Sequence, residues 1–313
     1  MLQQIFTMTF LTAFLTAAVR MAVPLIYAGL GETFLEKAGI LNIGMEGVML
    51  GGAFFSFAGA VASGNIFVGF LCGILGGMAV SAIHGFLCIK LSQNQSVSGI
   101  ALNIFMLGVT SFLYKLMTNG QSYQQIKTLP TVAIPVLSKI PLVGNAFFNQ
   151  DILTYLVYLL VFLSVFFYKK TGAGLAFTAV GEHPRAADAA GIPVYKYQWA
   201  AICVNGMLGG IGGASLVLVQ LGKFTENMIS GRGYIALAAV ILGRYSPLGM
   251  FGAALVFGGA NALQIRFQAM GVPLPTQALA MLPYVITLVA LLGSIGKSSE
   301  PEALGVPYVR GSR

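Results

Sequence analysis

From Gly47 to Ile89 the chain carries no Asp, Glu, Lys or Arg. A helix rises 1.5 Å per residue, so this run would be about 65 Å long, roughly twice the 30 Å hydrocarbon core of a bilayer. Two membrane crossings are therefore expected, with a turn at Ser63-Gly64-Asn65, where small polar residues gather. By the same measure, single crossings are expected over about Ile5 to Leu30, Ser96 to Met117, Ile152 to Tyr168, Gln198 to Leu221, Tyr234 to Tyr245, Leu248 to Ile265 and Gln277 to Leu292. The fold class that follows is all-α: a polytopic transmembrane helical bundle of about nine (8–10) segments.

Composition closes the other routes. Only 8% of the 313 residues are charged and 57% are hydrophobic, whereas roughly a quarter are charged in a water-covered domain. This excludes a cytosolic enzyme, a nucleic-acid binder, a disordered chain and a disulfide scaffold. The net charge of +8 comes from Lys and Arg standing singly at the edges of apolar stretches, which suits the inner face of a membrane. Cys72, Cys88 and Cys203 lie in apolar stretches without CxxC spacing and read as free, small hydrophobes. No Lys or Arg precedes Arg20, so the first stretch lacks the basic start of a cleavable signal and reads as a retained helix.

Between Tyr168 and Gln198, Lys169, Lys170, Arg185 and Lys196 outnumber Glu182 and Asp188, which places this loop in the cytoplasm. The last residues, with Lys297, Arg310 and Arg313, repeat the signal. The reading is one transmembrane domain over 1–296, with a cytoplasmic loop at about 169–197, and a cytoplasmic tail over 297–313. Counting segments back from the loop puts the N-terminus outside and makes Thr118 to Gln150 an external loop. Glycines recur at helix-packing spacing, as in Gly69, Gly73 and Gly77 or Gly206 and Gly210, and predict closely approaching helices.

Polar residues inside apolar stretches are costly and therefore informative. Glu46 stands in Gly39-Ile-Leu-Asn42-Ile-Gly44-Met-Glu46-Gly47, where glycines, an Asn and a Glu interrupt the apolar run. Such a break either lines a pathway or is an interfacial loop whose Glu caps the next helix. Asn94, Gln95, Asn103, Asn205, Gln220, Asn261 and Gln264 add uncharged hydrogen-bonding groups, which suit a neutral polar solute or helix–helix contacts. Apart from Glu46, no carboxylate reads as placed within a span; Arg20 has no evident partner and Arg266 sits near a span end. His84 and His183 stand far apart, so no metal or acid–base cluster is expected, and His84 reads as a core or pore-facing group. Gly293 to Ser298 imitates the end of a phosphate-binding loop but has Leu291 where that motif needs Gly. In the cytoplasmic loop, Pro184, an alanine-rich middle and Gly191 describe one short helix, too short to stand alone. It must dock on a partner or on the chain's own span ends.

Three stretches, Gly39 to Gly47, Asn94-Gln-Ser-Val-Ser-Gly-Ile-Ala-Leu-Asn103 and Gly231 to Gly249, resemble membrane permease subunits of bacterial ABC importers. The superfamily is that serving ribose-type sugars and branched-chain amino acids. The chain is most similar to the shorter permease of nucleoside-type uptake systems. The loop around Pro184 resembles the family's coupling helix, with His183 where Asn is usual, and the similarity runs from about Arg20 to Ile295.

The resemblance implies the ABC importer permease fold, in the bacterial inner (plasma) membrane. Two permeases, the second a longer homologue, would form the pathway for a nucleoside or related sugar-bearing solute such as a ribose-type sugar or riboflavin. Cytoplasmic ABC ATPases would bind ATP and Mg, leaving this chain without cofactor, metal or catalytic residues, and an extracytoplasmic solute-binding lipoprotein would deliver the solute. By the same resemblance Pro184, Arg185, Ala186, Ala187, Asp188 and Gly191 would contact the ATPase. Asn42 and Glu46 would lie near the pathway, joined as candidates by Asn94, Gln95, Asn103, Asn205 and Asn261. The rival reading, an ion-coupled secondary transporter, needs an ion or proton site within the spans. A membrane-embedded enzyme needs a catalytic cluster that the chain lacks.

Overall fold

The computed structural model describes residues 7–119, 125–271, 275–292 and 299–311. The imitation phosphate loop at 293–298, with Lys297, and the terminal Arg313 lie outside the described residues. Helix α1 (Met8–Glu36) starts at Thr7, whose hydroxyl accepts the Phe10 N–H at 3.3 Å. From Ala22 to Thr33 it is buried on every side, as a helix that is apolar all round must be. The apolar run predicts an end at Leu30; the helix instead continues to Glu36. Glu32 and Glu36 are 0% and 1% exposed, so they belong to the span and not to a loop.

The charge-free run folds as two crossings. They are α2 (Met45–Ser63) and α3 (Ile66–Gly85), the latter prolonged by a π-helical turn over Phe86–Lys90. The turn falls at the expected residues: Gly64 adopts φ 66° and Asn65 caps α3 by accepting the Phe67 N–H at 2.8 Å. Helix α4 (Gln95–Thr118) follows. A hairpin, β1 (Thr131–Ala133) antiparallel to β2 (Asn149–Asp151), encloses the short α5 (Val143–Phe148). Asp151 then caps α6 (Ile152–Lys170) by accepting from the Thr154 N–H and hydroxyl at 3.1 and 2.8 Å.

The loop at 169–197, expected on the cytoplasmic side, forms α7 (Gly172–Glu182) and α8 (Pro184–Ala189). After it come α9 (Val194–Ser215, with a π-helical extension over Leu216–Leu221), α10 (Arg232–Leu242), α11 (Pro247–Ala269) and α12 (Thr276–Leu292). Among the described residues seven helices are long and apolar enough to cross a membrane: α1, α2, α3, α4, α6, α9 and α11. With the shorter α10 and α12 they occupy the nine apolar stretches.

α10 is half a crossing, about 16 Å long. The remaining half is irregular chain from 223 to 231. Its outer end lies against the external loop, where the Ile126 N–H donates to the Gly222 carbonyl at 2.8 Å. Its inner end packs into the bundle through Phe224 and Ile229, 1% and 0% exposed. Asn227, Ser230 and Gly231 take positive φ along it.

Helices α2 and α9 are the most buried spans, α3 packs against both, and glycine lets them touch. A Cβ on Gly77 would press into the carbonyl of Gly206 and the backbone of Gly210, and one on Gly213 into the carbonyl of Met49. Apolar burial gives helices little drive to associate in lipid, so this backbone proximity supplies the attraction through dispersion. At the other end of α1, Gly39 lies against Gly181 of α7, and the Ala303 and Gly305 N–H groups donate to Gly181 and Gly39 at 3.0 and 3.3 Å. The C-terminus of α1 and the cytoplasmic loop are therefore on one face, and the N-terminus of α1 is on the other.

Candidate functional site

The chain between α1 and α2 is the break expected at Gly39 to Gly47, and side chains from distant helices satisfy its backbone. Asn42 is fully buried. Its Oδ1 accepts the Gly44 N–H at 2.9 Å and its Nδ2 donates to Asn205 Oδ1 at 3.1 Å. Asn205 Nδ2 donates to Glu32 Oε2 at 2.7 Å, and the Ser81 hydroxyl reaches Asn205 Oδ1 at 3.0 Å. One buried layer thus ties α1, the break, α3 and α9 together. Glu32 Oε1 and Glu36 Oε2 are buried and find no hydrogen-bond partner among the described residues.

A second group surrounds Glu46. Its Oε1 accepts the Gly231 N–H at 2.7 Å and its Oε2 the Gly233 N–H at 2.8 Å. These are the unpaired donors at the N-terminus of α10, where the helix dipole favours a negative charge. The Glu does cap a helix, but one in the other half of the chain. Asn103 Oδ1 accepts the Gly47 N–H at 2.7 Å, while its Nδ2 donates to the Ile43 carbonyl and the Tyr234 hydroxyl at 2.9 and 2.8 Å. Gln95 Oε1 accepts the Leu41 N–H at 2.7 Å. His84 Nε2 stands 3.1 Å from the Leu41 carbonyl, which can only accept, so Nε2 carries the proton and Nδ1 faces the Ser98 hydroxyl at 3.1 Å.

The structure therefore brings Asn42, Glu46, Gln95, Asn103 and Asn205 together at the meeting of the two irregular segments. Asn205 lies about 16 Å along α9 from Val194, and Asn103 about 12 Å along α4 from Gln95, well inside the bilayer. Asn94 stays at the exposed start of α4, capping it through the Val97 N–H at 3.0 Å. Asn261 is half-buried in α11 and joins none of these bonds. Glu32 and Glu36 escape a sequence reading because acids that follow an apolar run look like a loop. Their i, i+4 spacing on a continuing helix was the available signal. No group of three or more His, Cys, Asp or Glu among the described residues could hold a metal ion.

At the end of the bundle that holds the 169–197 loop, α8 forms where Pro184 and Gly191 predict it, with Gly191 at φ 85° ending the turn. Ala187 faces inward, packed with Val180, Val194 and Tyr308, while Arg185 and Ala186 are exposed. The His183 side chain does not cap α8; its Nε2 lies 3.5 Å from Glu302 Oε2. Asp188 Oδ2 meets Arg310 Nε at 3.2 Å, and the rings of Tyr195 and Tyr308 are 5.4 Å apart. Residues 301–310 thus run along α8 as a brace. A cleft of about 550 Å³ between them is lined by Pro184, Arg185, Ala186 and Val306. Burial, and next the Asp188 carboxylate, hold the Tyr308 phenol above its ordinary range. Burial lowers the Lys37 ammonium at the end of α1, against the pull of Glu182.

The fold is thus a many-span helical bundle with an interior polar break, one half-length helix and a short helix braced by residues 301–310. The chain belongs to the family of the branched-chain amino acid transport system / permease component, which matches residues 14–292. It is 37% identical to the guanosine ABC transporter permease protein NupQ of Bacillus subtilis (strain 168), over 97% of this chain and 98% of that one. It is 36% identical to the nucleoside ABC transporter permease protein NupC of Lactococcus lactis subsp. cremoris, over 92% and 93%. The glucose ABC transporter permease protein TsgB13 of Haloferax volcanii is 28% identical, over 83% and 71%. The chain is a permease subunit of an ABC transporter and a multi-pass inner-membrane protein.

Proposed function

We propose that this chain forms half of the translocation pathway of an ATP-driven importer for a nucleoside or a related sugar-bearing solute. The observation that carries the reading is the buried polar layer at the chain breaks, where Asn42, Asn103 and Asn205 hydrogen-bond the break to the surrounding helices. Neutral amides suit hydroxyls and base edges, and the guanosine, nucleoside and glucose permeases among the relatives point the same way. Asn42, Glu46, Gln95, Asn103 and Asn205 are the pathway residues of this reading. Asn94 and Asn261, outside the cluster, are its outlying candidates.

A separate cytoplasmic ATPase binds ATP and Mg and docks on Pro184, Arg185, Ala186, Asp188 and Gly191; Ala187 supports them from behind. Displacement of α8 reaches the polar layer by a short route. α7 touches the α1 end at Gly181 and Gly39, and α1 carries Glu32 to Asn205. Pairing with a longer permease and delivery by a solute-binding lipoprotein rest on the resemblance to nucleoside-type systems.

The test is ATP hydrolysis by the complex in lipid, with its receptor, against a panel of nucleosides, riboflavin and pentoses. Stimulation by one member of the panel is the expected result. Solute uptake driven by an ion gradient without ATP would overturn the reading.

A further inference from the structure

Arg20 and Arg266 line one cleft of about 800 Å³ on the face opposite the cytoplasmic loop, walled also by Thr12, Thr16, Asn145 and Asn149. Arg20 lies about 18 Å along α1 from Met8, and its carbonyl accepts from the Gln220 side chain at 2.9 Å, one residue before the end of the α9 extension, so its charge sits at the end of the bundle away from α8. Two guanidiniums facing one cleft repel each other unless an anion lies between them. The chain supplies no countercharge. It has nine Asp and Glu, all among the described residues, and none lines the cleft. Asp151 accepts from Thr154 and does not line the cleft, and Glu32 and Glu36 lie at the other end of α1.

The Nε atoms of both arginines are buried and find no hydrogen-bond partner among the described residues. The Phe10 ring lies 5.3 Å from the Arg266 guanidinium, fixing it from one side. Thr12 and Thr16 spend their protons on the Met8 and Thr12 carbonyls, both at 2.8 Å, and so leave only acceptor lone pairs. Two planar forks with free N–H donors, no acid and adjoining neutral amides fit an oxyanion, which they can grip bidentately.

We propose that this cleft is a phosphate-binding site, with Arg20 and Arg266 as its anchors. Two sources carry that group: the headgroup of a phospholipid lying against α1, or free phosphate entering from outside. Ala13, Ala17 and Met21 on the same wall give the first source a place for its acyl chain.

The test uses the intact transporter complex, stripped of lipid in a maltoside detergent, with phosphatidylglycerol, diacylglycerol or inorganic phosphate added back. Bound lipid is counted by native mass spectrometry and stability is read as thermal melting. Wild type is expected to retain phosphatidylglycerol and to melt higher with it, and diacylglycerol is expected to do neither. Arg20→Gln and Arg266→Gln should each weaken retention about tenfold, the worth of one charge-assisted pair. Arg20→Lys, which keeps the charge and loses the fork, should fall between and serves as the folding control. A matching effect of inorganic phosphate assigns the site to the free ion; an effect of the lipid alone assigns it to the headgroup. Equal retention of phosphatidylglycerol and diacylglycerol, or Gln variants that bind as wild type does, would overturn the site.

Discussion

The carboxylate of Glu46 is the residue on which the two halves of the chain depend most directly, since it alone takes both N–H donors at the start of α10. A charge-assisted hydrogen bond contributes about 1.5–3 kcal/mol net, and a neutral amide at the same place keeps the shape but only part of that. Glu46→Gln should therefore lower the melting temperature moderately and slow transport, and Glu46→Ala should do more of both. Transport and melting unchanged in both variants would show that α10 needs no cap from α2. Glu46, Asn42, Asn103 and Asn205 were legible one by one, because polar groups in apolar runs announce their cost. Their partners on other elements were not, because those bonds join residues 56 to 187 positions apart, and no local pattern encodes such pairs. Glu32 and Glu36 were hidden for the opposite reason: a local rule, that acids end a span, gave the wrong answer where a buried Asn205 holds one of them.

At the scale of elements, crossings followed from charge-free length, and the turn at Gly64 and Asn65 from its residues. The irregular half-crossing at 223–231 was not legible. Lys223 and Glu226 make it look like an external loop, while Phe224, Met228 and Ile229 bury it. Where helices do cross, contact depends on glycines whose missing Cβ is the packing surface. Gly77→Val should cut the yield of folded complex sharply, because the side chain would push α3 off α9 at Gly206 and Gly210. Gly252→Ala, in α11 with nothing within 4 Å of the added carbon, should be neutral or raise the melting temperature, since alanine costs less than glycine in a helix. Equal losses in the two variants would mean that helix propensity, not contact, governs these positions.

Across the whole molecule, the cytoplasmic face is built from three distant parts of the chain: the end of α1, the α7–α8 loop and residues 299–311. The sequence marked α8 by Pro184 and Gly191 but left 297–313 as a tail. Nothing local shows that Ala303 and Gly305 bond to Gly181 and Gly39, or that Tyr308 closes over Ala187. The packing also decides which substitution is informative. Ala187→Trp would break the brace itself, whereas Ala186 is exposed and can accept a bulky side chain without disturbing the fold. In the proposed mechanism, ATP-driven motion enters this permease through α8. The most direct measurement is co-purification of the cytoplasmic ATPase with wild type and with Ala186→Trp, each checked for an unchanged melting temperature in detergent. The account predicts that wild type retains the ATPase and that the folded variant loses it. Full retention by the folded Ala186→Trp variant would contradict it and move the docking surface off α8.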